Sequence, residues 1–224
     1  MKKIRIAIDG PAGAGKSSVS RMVAGLLGYQ YVDTGAIYRS LAYAMNETVK
    51  LEDHAGIRQL LDNFDVSFSM EDDVNHIFLN GEDITPFIRT EKVSMLASSV
   101  SALPFVREAL LEMQKRYARA GGVVMEGRDI GTVIIPDAEL KIFLTASPEK
   151  RAARRMLELK AKGVEITMEN LVEEIKRRDD QDSKRAIAPL KIAVDGVLVD
   201  NSDIDLFETA ELIVKYARER EKLN

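Results

Sequence analysis

The sequence predicts an α/β fold, a mostly parallel sheet flanked by helices. Segments with strand-like alternation recur between segments of helical spacing. The first strand runs directly into a glycine-rich loop and a helix. Buried-type strands, "GGVVMEGRD" and "LKIFLTAS", return in the second half of the chain.

Ile4, Ile6 and Ile8 alternate with Arg5 and Ala7 and end at Asp9-Gly10, a strand closing in a turn. Val19, Met22, Val23, Leu26 and Leu27 then fall on one helical face, with Gly28 as the stop. Residues 29–32 form a short strand, and Ile37, Leu41 and Met45 mark the next helix. From about Asp62 to Thr90 the texture changes to short alternating segments with Asn80-Gly81 as a hairpin turn, a small antiparallel sheet inserted in the strand–helix chain. A helical pair follows, the second opening near Pro104 with Val106, Leu110, Met113 and Tyr117 on one face. The two buried strands flank the loop "IGTVIIPDAE". Ser147-Pro148 opens a helix, and Thr167 caps another that runs towards Asp182. "GVLVDNS" is the last strand, and Phe207, Ala210, Ile213, Val214 and Ala217 line a final helix.

Composition excludes several classes. At 224 residues the chain suits one globular unit with a small insertion. A net charge of −4 gives no general reason to expect nucleic acid or an anionic membrane as partner. The absence of cysteine removes disulfides, thiol catalysis and thiolate zinc sites. The two histidines, His54 and His76, lie outside any metal-ligand spacing, and there is no G-x-S-x-G elbow. "MKKIRIAIDG" is too short and too interrupted for a signal peptide, and no apolar run spans a membrane. The expectation is a cytoplasmic protein, with nothing that demands more than a monomer.

Gly10-Pro11-Ala12-Gly13-Ala14-Gly15-Lys16-Ser17 fits G-x-x-x-x-G-K-[ST], with a strand before it and a helix after it. Glycines let backbone amides converge on phosphate oxygens, and the helix start adds about half a positive charge. Lys16 reaches the outer phosphates and Ser17 is the Mg²⁺ hydroxyl, with Ser18 beside it. The expected ligand is a nucleoside triphosphate.

No N-K-x-D motif for guanine is present, so the receiving group must be read from arginines and carboxylates. In "VDTGAIYR", Asp33 and Thr34 end a strand, and Tyr38 and Arg39 follow in the first helical turns. In "EGRDIGT", Arg128 and Asp129 again follow a strand, so they emerge at the same sheet edge as Lys16. A local ion-paired turn is the plainer reading of that group alone; two such groups strengthen an acceptor site. Arg151, Arg154 and Arg155 share a helical face, either solvated or turned to the charge of a moving phosphoryl group. Arg178, Asp182 and Arg185 also share a face, and on spacing alone an exposed helix end laced by ion pairs is the simpler reading.

"IDGPAGAGKSS", "DTGAIYR", "EGRDIGT", "KIFLTASPEKRAARR" and "EIKRRDDQDSKRA" together closely resemble the bacterial cytidylate kinases, over nearly the whole chain. The resemblance implies a P-loop-type core over 1–61 and 101–224 with a helical lid at about 149–186. It makes residues 62–100 an inserted monophosphate-binding domain. The implied reaction is phosphoryl transfer from ATP to CMP or dCMP with Mg²⁺, in pyrimidine nucleotide metabolism. It assigns Arg39 and Arg128 to the acceptor phosphate, and Thr34, Arg107 and Asp129 to the cytosine. Ser98 joins them, with Ser99 and Ser101 as alternatives. Arg178 and Asp182 go to the ribose with Arg185 beside them, which overturns the reading from spacing. Arg151, Arg154 and Arg155 go to the lid, so the expected catalytic set is Lys16, Arg128, Arg151 and Arg155. Asp33 or Glu126 orients the metal through water. Other acceptors (UMP, AMP, shikimate) and a nucleotide-dependent switch are the competing functions.

Overall fold

The chain begins with β1 (Arg5–Asp9), α1 (Lys16–Leu27), β2 (Gln30–Asp33), α2 (Thr34–Met45) and α3 (His54–Asp62). Three short strands follow, β3 (Val66–Glu71), β4 (Val74–Leu79) and β5 (Glu82–Asp83), then α4 (Glu91–Val100) and α5 (Pro104–Ala118). The remainder is β6 (Val123–Gly127), a π-helical turn (Ile130–Ile134), β7 (Leu140–Thr145), α6 (Pro148–Ala161), α7 (Met168–Lys184), β8 (Val197–Asp200) and α8 (Leu206–Leu223). The structure is a computed structural model that describes residues 3–45, 48–71, 74–161 and 163–223.

The main sheet has five strands in the order β2-β6-β1-β7-β8, and β1 pairs in parallel with both β6 and β7. Ile6, Ala7, Ile8, Val123, Val124 and Met125 are all fully buried, which is why these strands read as continuous apolar runs. Register sets the chemistry: Asp9 lies opposite Gly127, so the chain leaves β1 at Gly10 and β6 at Arg128 along one sheet edge. The helix ends follow the expected chemistry. Gly28 closes α1 in the left-handed conformation at φ 63°, and Thr167 Oγ1 accepts the Asn170 amide at the start of α7. Between β6 and β7, where a plain loop was expected, the chain makes the π-helical turn instead. Asp9 holds it there, accepting the Ile130 and Gly131 amides at 2.8 Å each.

The chain divides into two compact units, Met1–Gln30 with Ala118–Asn224, and Tyr31–Tyr117. In the first, α1 packs on α8 and β6, and α6 packs on α7 around Ala152, Leu171 and Ile175. The second is wider than the 62–100 expected for the insertion. The antiparallel sheet β3-β4-β5 has one apolar face, and three short strands cannot bury it alone. Val66 and Ile77 therefore join a shared core with Ile37, Leu41 and Met45 of α2, Ile57 of α3, and Val106 and Leu110 of α5. Each such side chain contributes about 1.5–3 kcal/mol on burial, which draws the flanking helices into the unit. No helix among the described residues is long and apolar enough to cross a membrane.

Candidate active site

The loop leaving β1 is shaped by its first glycine. Gly10 has φ 154°, and a Cβ there would stand 2.0 Å from the Leu144 carbonyl oxygen on β7. The loop folds back through the Ala14 amide to the Pro11 carbonyl and enters α1 at Gly15, a left-handed cap with no side-chain hydrogen bond. The first-turn amides of α1 thus meet no capping side chain, and the helix start is set to receive an anion. Lys16 is buried, and its Nζ donates to the Pro11 carbonyl at 2.8 Å. Burial pushes the Lys16 ammonium down to about 7, and Arg128 adds repulsion that Glu126, Asp182 and Asp9 only partly offset. Ser17 and Ser18 are half-buried in the first turn, and Gly13 faces solvent.

The edge beyond β6 adds a cluster within the same unit. Arg128 Nε donates to Asp182 Oδ2 at 2.8 Å, joining the end of β6 to α7. Asp129 is buried, and an Arg185 amino group stands 3.5 Å from its Oδ1. Arg185 Nε donates to the Ala188 carbonyl. Arg178 lies on α7 one turn before Asp182 and is exposed to solvent. The end of α7 is therefore not a self-contained surface network, as spacing alone suggested. Its carboxylate and arginine reach the Arg128-Asp129 pair, which i, i+4, i+7 spacing cannot reveal.

The three arginines of α6 have separate fates. Arg151 is 3 % exposed, with Nε on the Ala146 carbonyl, Nη1 on the Ala12 carbonyl, and both amino groups on Asp179 at 2.9 and 2.5 Å. It is held by protein groups rather than presented. Arg154 binds Asn201, through Oδ1 at 3.1 Å and the carbonyl at 2.8 Å. Arg155 is exposed and pairs with Glu158 of its own helix.

In the second unit, Asp33 is the hub. Its Oδ2 accepts from Arg39 at 2.6 Å and lies 3.6 Å from Arg89, and its Oδ1 accepts the Ala36 amide. Burial pushes the Asp33 carboxyl up, but the two guanidiniums and that amide outweigh it and hold the pKa below the ordinary value. The Arg39 Nε is buried and makes no hydrogen bond among the described residues. Thr34 and Tyr38 are buried on α2, and the Arg107 guanidinium sits 5.7 Å from the Tyr38 ring centre while donating to the Ser101 carbonyl. Ser99 and Ser101 turn their hydroxyls onto the carbonyls of Met95 and Ser98, and Ser98 is exposed.

A family model described as "Cytidylate kinase" matches residues 6–219. The chain belongs to the cytidylate kinase family. It is 47 % identical over 216 residues to the cytidylate kinase of Caldicellulosiruptor saccharolyticus, covering 96 % of both chains. Against that of Pseudomonas paraeruginosa it is 47 % identical over 218 residues, covering 96 % of this chain and 95 % of the other. A solved structure of an uncharacterized protein from Eubacterium ventriosum matches with TM-score 0.53 at 14 % identity, covering 97 % and 99 % of the two chains, and speaks for the fold alone.

For this cytidylate kinase family member, sequence reasoning passed over four residues that the geometry makes prominent. In the sequence pattern Asp9 and Asn201 stand only at strand ends, Asp179 only within the motif "EIKRRDDQDSKRA", and Arg89 in no motif. Two of them occupy recognisable positions, Asp9 as the last residue of a buried strand and Asn201 as a polar residue just beyond the last strand; Arg89 carries no local signal.

Proposed function

We propose that this chain transfers the γ-phosphoryl group of ATP to CMP or dCMP, giving ADP and CDP or dCDP. Membership of the cytidylate kinase family makes it a kinase acting on nucleotides. The observation that carries the reading is the convergence, within one unit, of the capless start of α1, the buried Lys16 and the Arg128–Asp182 pair at one sheet edge.

In this reading the loop amides and Lys16 hold the donor phosphates, supported by the depressed Lys16 pKa, which an anion would restore. Arg128 and Arg39 take the acceptor phosphate, the latter through its unused Nε. Thr34, Arg107 and Asp129, with Ser98, read the cytosine; Arg178, Asp182 and Arg185 take the ribose. Arg154 and Arg155 belong to the lid, whereas the contacts of Arg151 argue for support rather than catalysis. Transfer is direct and in line, with no covalent intermediate. Positioning and charge neutralisation supply the rate, and an ionised acceptor phosphate needs no general base.

Among the described residues no cluster of three acidic or histidine side chains is placed to hold a metal alone. Mg²⁺ arriving with a triphosphate needs only one or two protein ligands and keeps several waters. Ser17 fits as the direct ligand. Glu126, buried near Lys16, and Asp33, buried beside Arg39, are the two carboxylates that could orient it through water. The metal would neutralise developing charge between the outer phosphates.

The test is ADP formation from ATP and Mg²⁺ with CMP, dCMP, UMP, AMP, GMP and shikimate. Rapid turnover is expected with CMP and dCMP and slow turnover with the purines. Preference for another acceptor would overturn the base assignment, and no response to any acceptor would favour a switch.

A further inference from the structure

Three carbonyls of the phosphate loop accept hydrogen bonds from side chains. Pro11 accepts from Lys16 Nζ at 2.8 Å, Ala12 from Arg151 Nη1 at 3.0 Å, and Ala14 from Asn201 Nδ2 at 3.0 Å. Lys16 belongs to the transfer machinery, but the other two donors come from outside the loop, from α6 and from the residue after β8. Both are 3 % exposed. Arg151 is fixed by the Ala146 carbonyl and Asp179; Asn201 is fixed by its amide on the Thr145 carbonyl and by Arg154. They also pack beneath the loop. A Cβ on Gly13, at φ 77°, would sit 3.3 Å from the Arg151 Cβ, and one on Gly15 would sit 3.7 Å from Asn201 Nδ2.

In a planar trans peptide the C=O and the following N–H point in opposite directions. Anchoring the Ala12 and Ala14 carbonyls on this side therefore aims the Gly13 and Gly15 amides at the other, where the phosphates would lie. We infer that Arg151 and Asn201 are positioning residues that preorganise the amide cradle for the donor triphosphate. The inference rests on reading residues 10–17 as the triphosphate site. Amides fixed before the ligand arrives need no reorganisation when it binds, and that advantage is felt by the donor and not by the acceptor.

Asn201→Ala and Arg151→Met test it, the second removing the donor to Ala12 while keeping a long unbranched side chain in its place. The measurements are calorimetric Kd for a non-hydrolysable ATP analogue with Mg²⁺, KM for ATP and for CMP, and thermal unfolding. Each variant should weaken analogue binding and raise the ATP KM about three- to tenfold, with the CMP KM within about twofold. Wild-type analogue affinity in the variants, or an equal rise in both KM values, would overturn the inference, whatever the melting temperature. Failure of the wild-type protein to bind the analogue would instead remove the reading beneath it.

Discussion

Nucleotide binding should draw a proton into the site. Lys16 is buried against the Pro11 carbonyl, and burial with the nearby Arg128 charge lowers its ammonium to about 7. A bound triphosphate places several negative charges beside it and returns it towards the ordinary 10.5. With a free-state pKa of about 7, about half of the unliganded molecules carry the Lys16 charge at pH 7 and about a tenth at pH 8. Uptake on binding should therefore be about 0.1 proton at pH 6 and about 0.9 at pH 8, and affinity should fall about tenfold per pH unit above 8. Titration calorimetry with a non-hydrolysable ATP analogue at pH 8, in HEPES and in Tris, reads the uptake from the difference in heats. Lys16→Met should abolish it. Equal heats in the two buffers, or the same uptake in Lys16→Met, would refute the argument. The empty protein follows the opposite trend. Its Lys16 titrates below the unfolded value, so the unfolded chain holds more protons between about 7 and 10.5, and stability gains as pH rises through that window.

Three further outcomes are expected. Burial raises the Asp9 carboxyl to about 6 despite the amides of Gly131 and Ile130, so its contribution to stability is greatest below 3.8 and is lost as pH rises through 6. The unfolding free-energy difference between wild type and Asp9→Asn should change by about 2 kcal/mol between pH 4 and 7, and a flat difference would count against it. Gly10→Ala, whose Cβ would overlap the Leu144 carbonyl at 2.0 Å, should lose at least about 3 kcal/mol, and an unchanged melting temperature would contradict the close approach. Asp182→Asn frees Arg128 from its 2.8 Å partner and should raise the CMP KM about tenfold with the ATP KM within about twofold; equal effects on both would argue against an acceptor role.

The fold was legible where chemistry is local. The phosphate loop, the Gly28 stop, the Ser147 and Thr167 caps and the Asn80-Gly81 turn each depend on a few adjacent residues, and each lies where the pattern puts it. What spacing could not convey is the direction a helix face looks. Arg151, Arg154 and Arg155 are neighbours on α6, yet the first is buried on Asp179 and the last pairs in solvent with Glu158. The extent of the second unit was hidden for a related reason. Alternation marks the apolar face of β3 and β4 but not α2, α3 and α5, which cover it. Asp9 gives no sign in sequence that its carboxylate holds two amides more than a hundred residues away. The Arg128–Asp182 pair was not legible, because it joins a strand end to a helix across 54 residues; the family resemblance puts the two residues on the phosphate and the ribose and not on each other.

The most direct measurement follows the label from γ-³²P-ATP with CMP and Mg²⁺ under single-turnover conditions. Label appearing in CDP, with little inorganic phosphate and none retained on the protein, is the predicted result for direct transfer to a cytidine monophosphate. Label released as phosphate whether or not CMP is present would contradict it, and would leave a nucleotide-binding loop without the proposed acceptor.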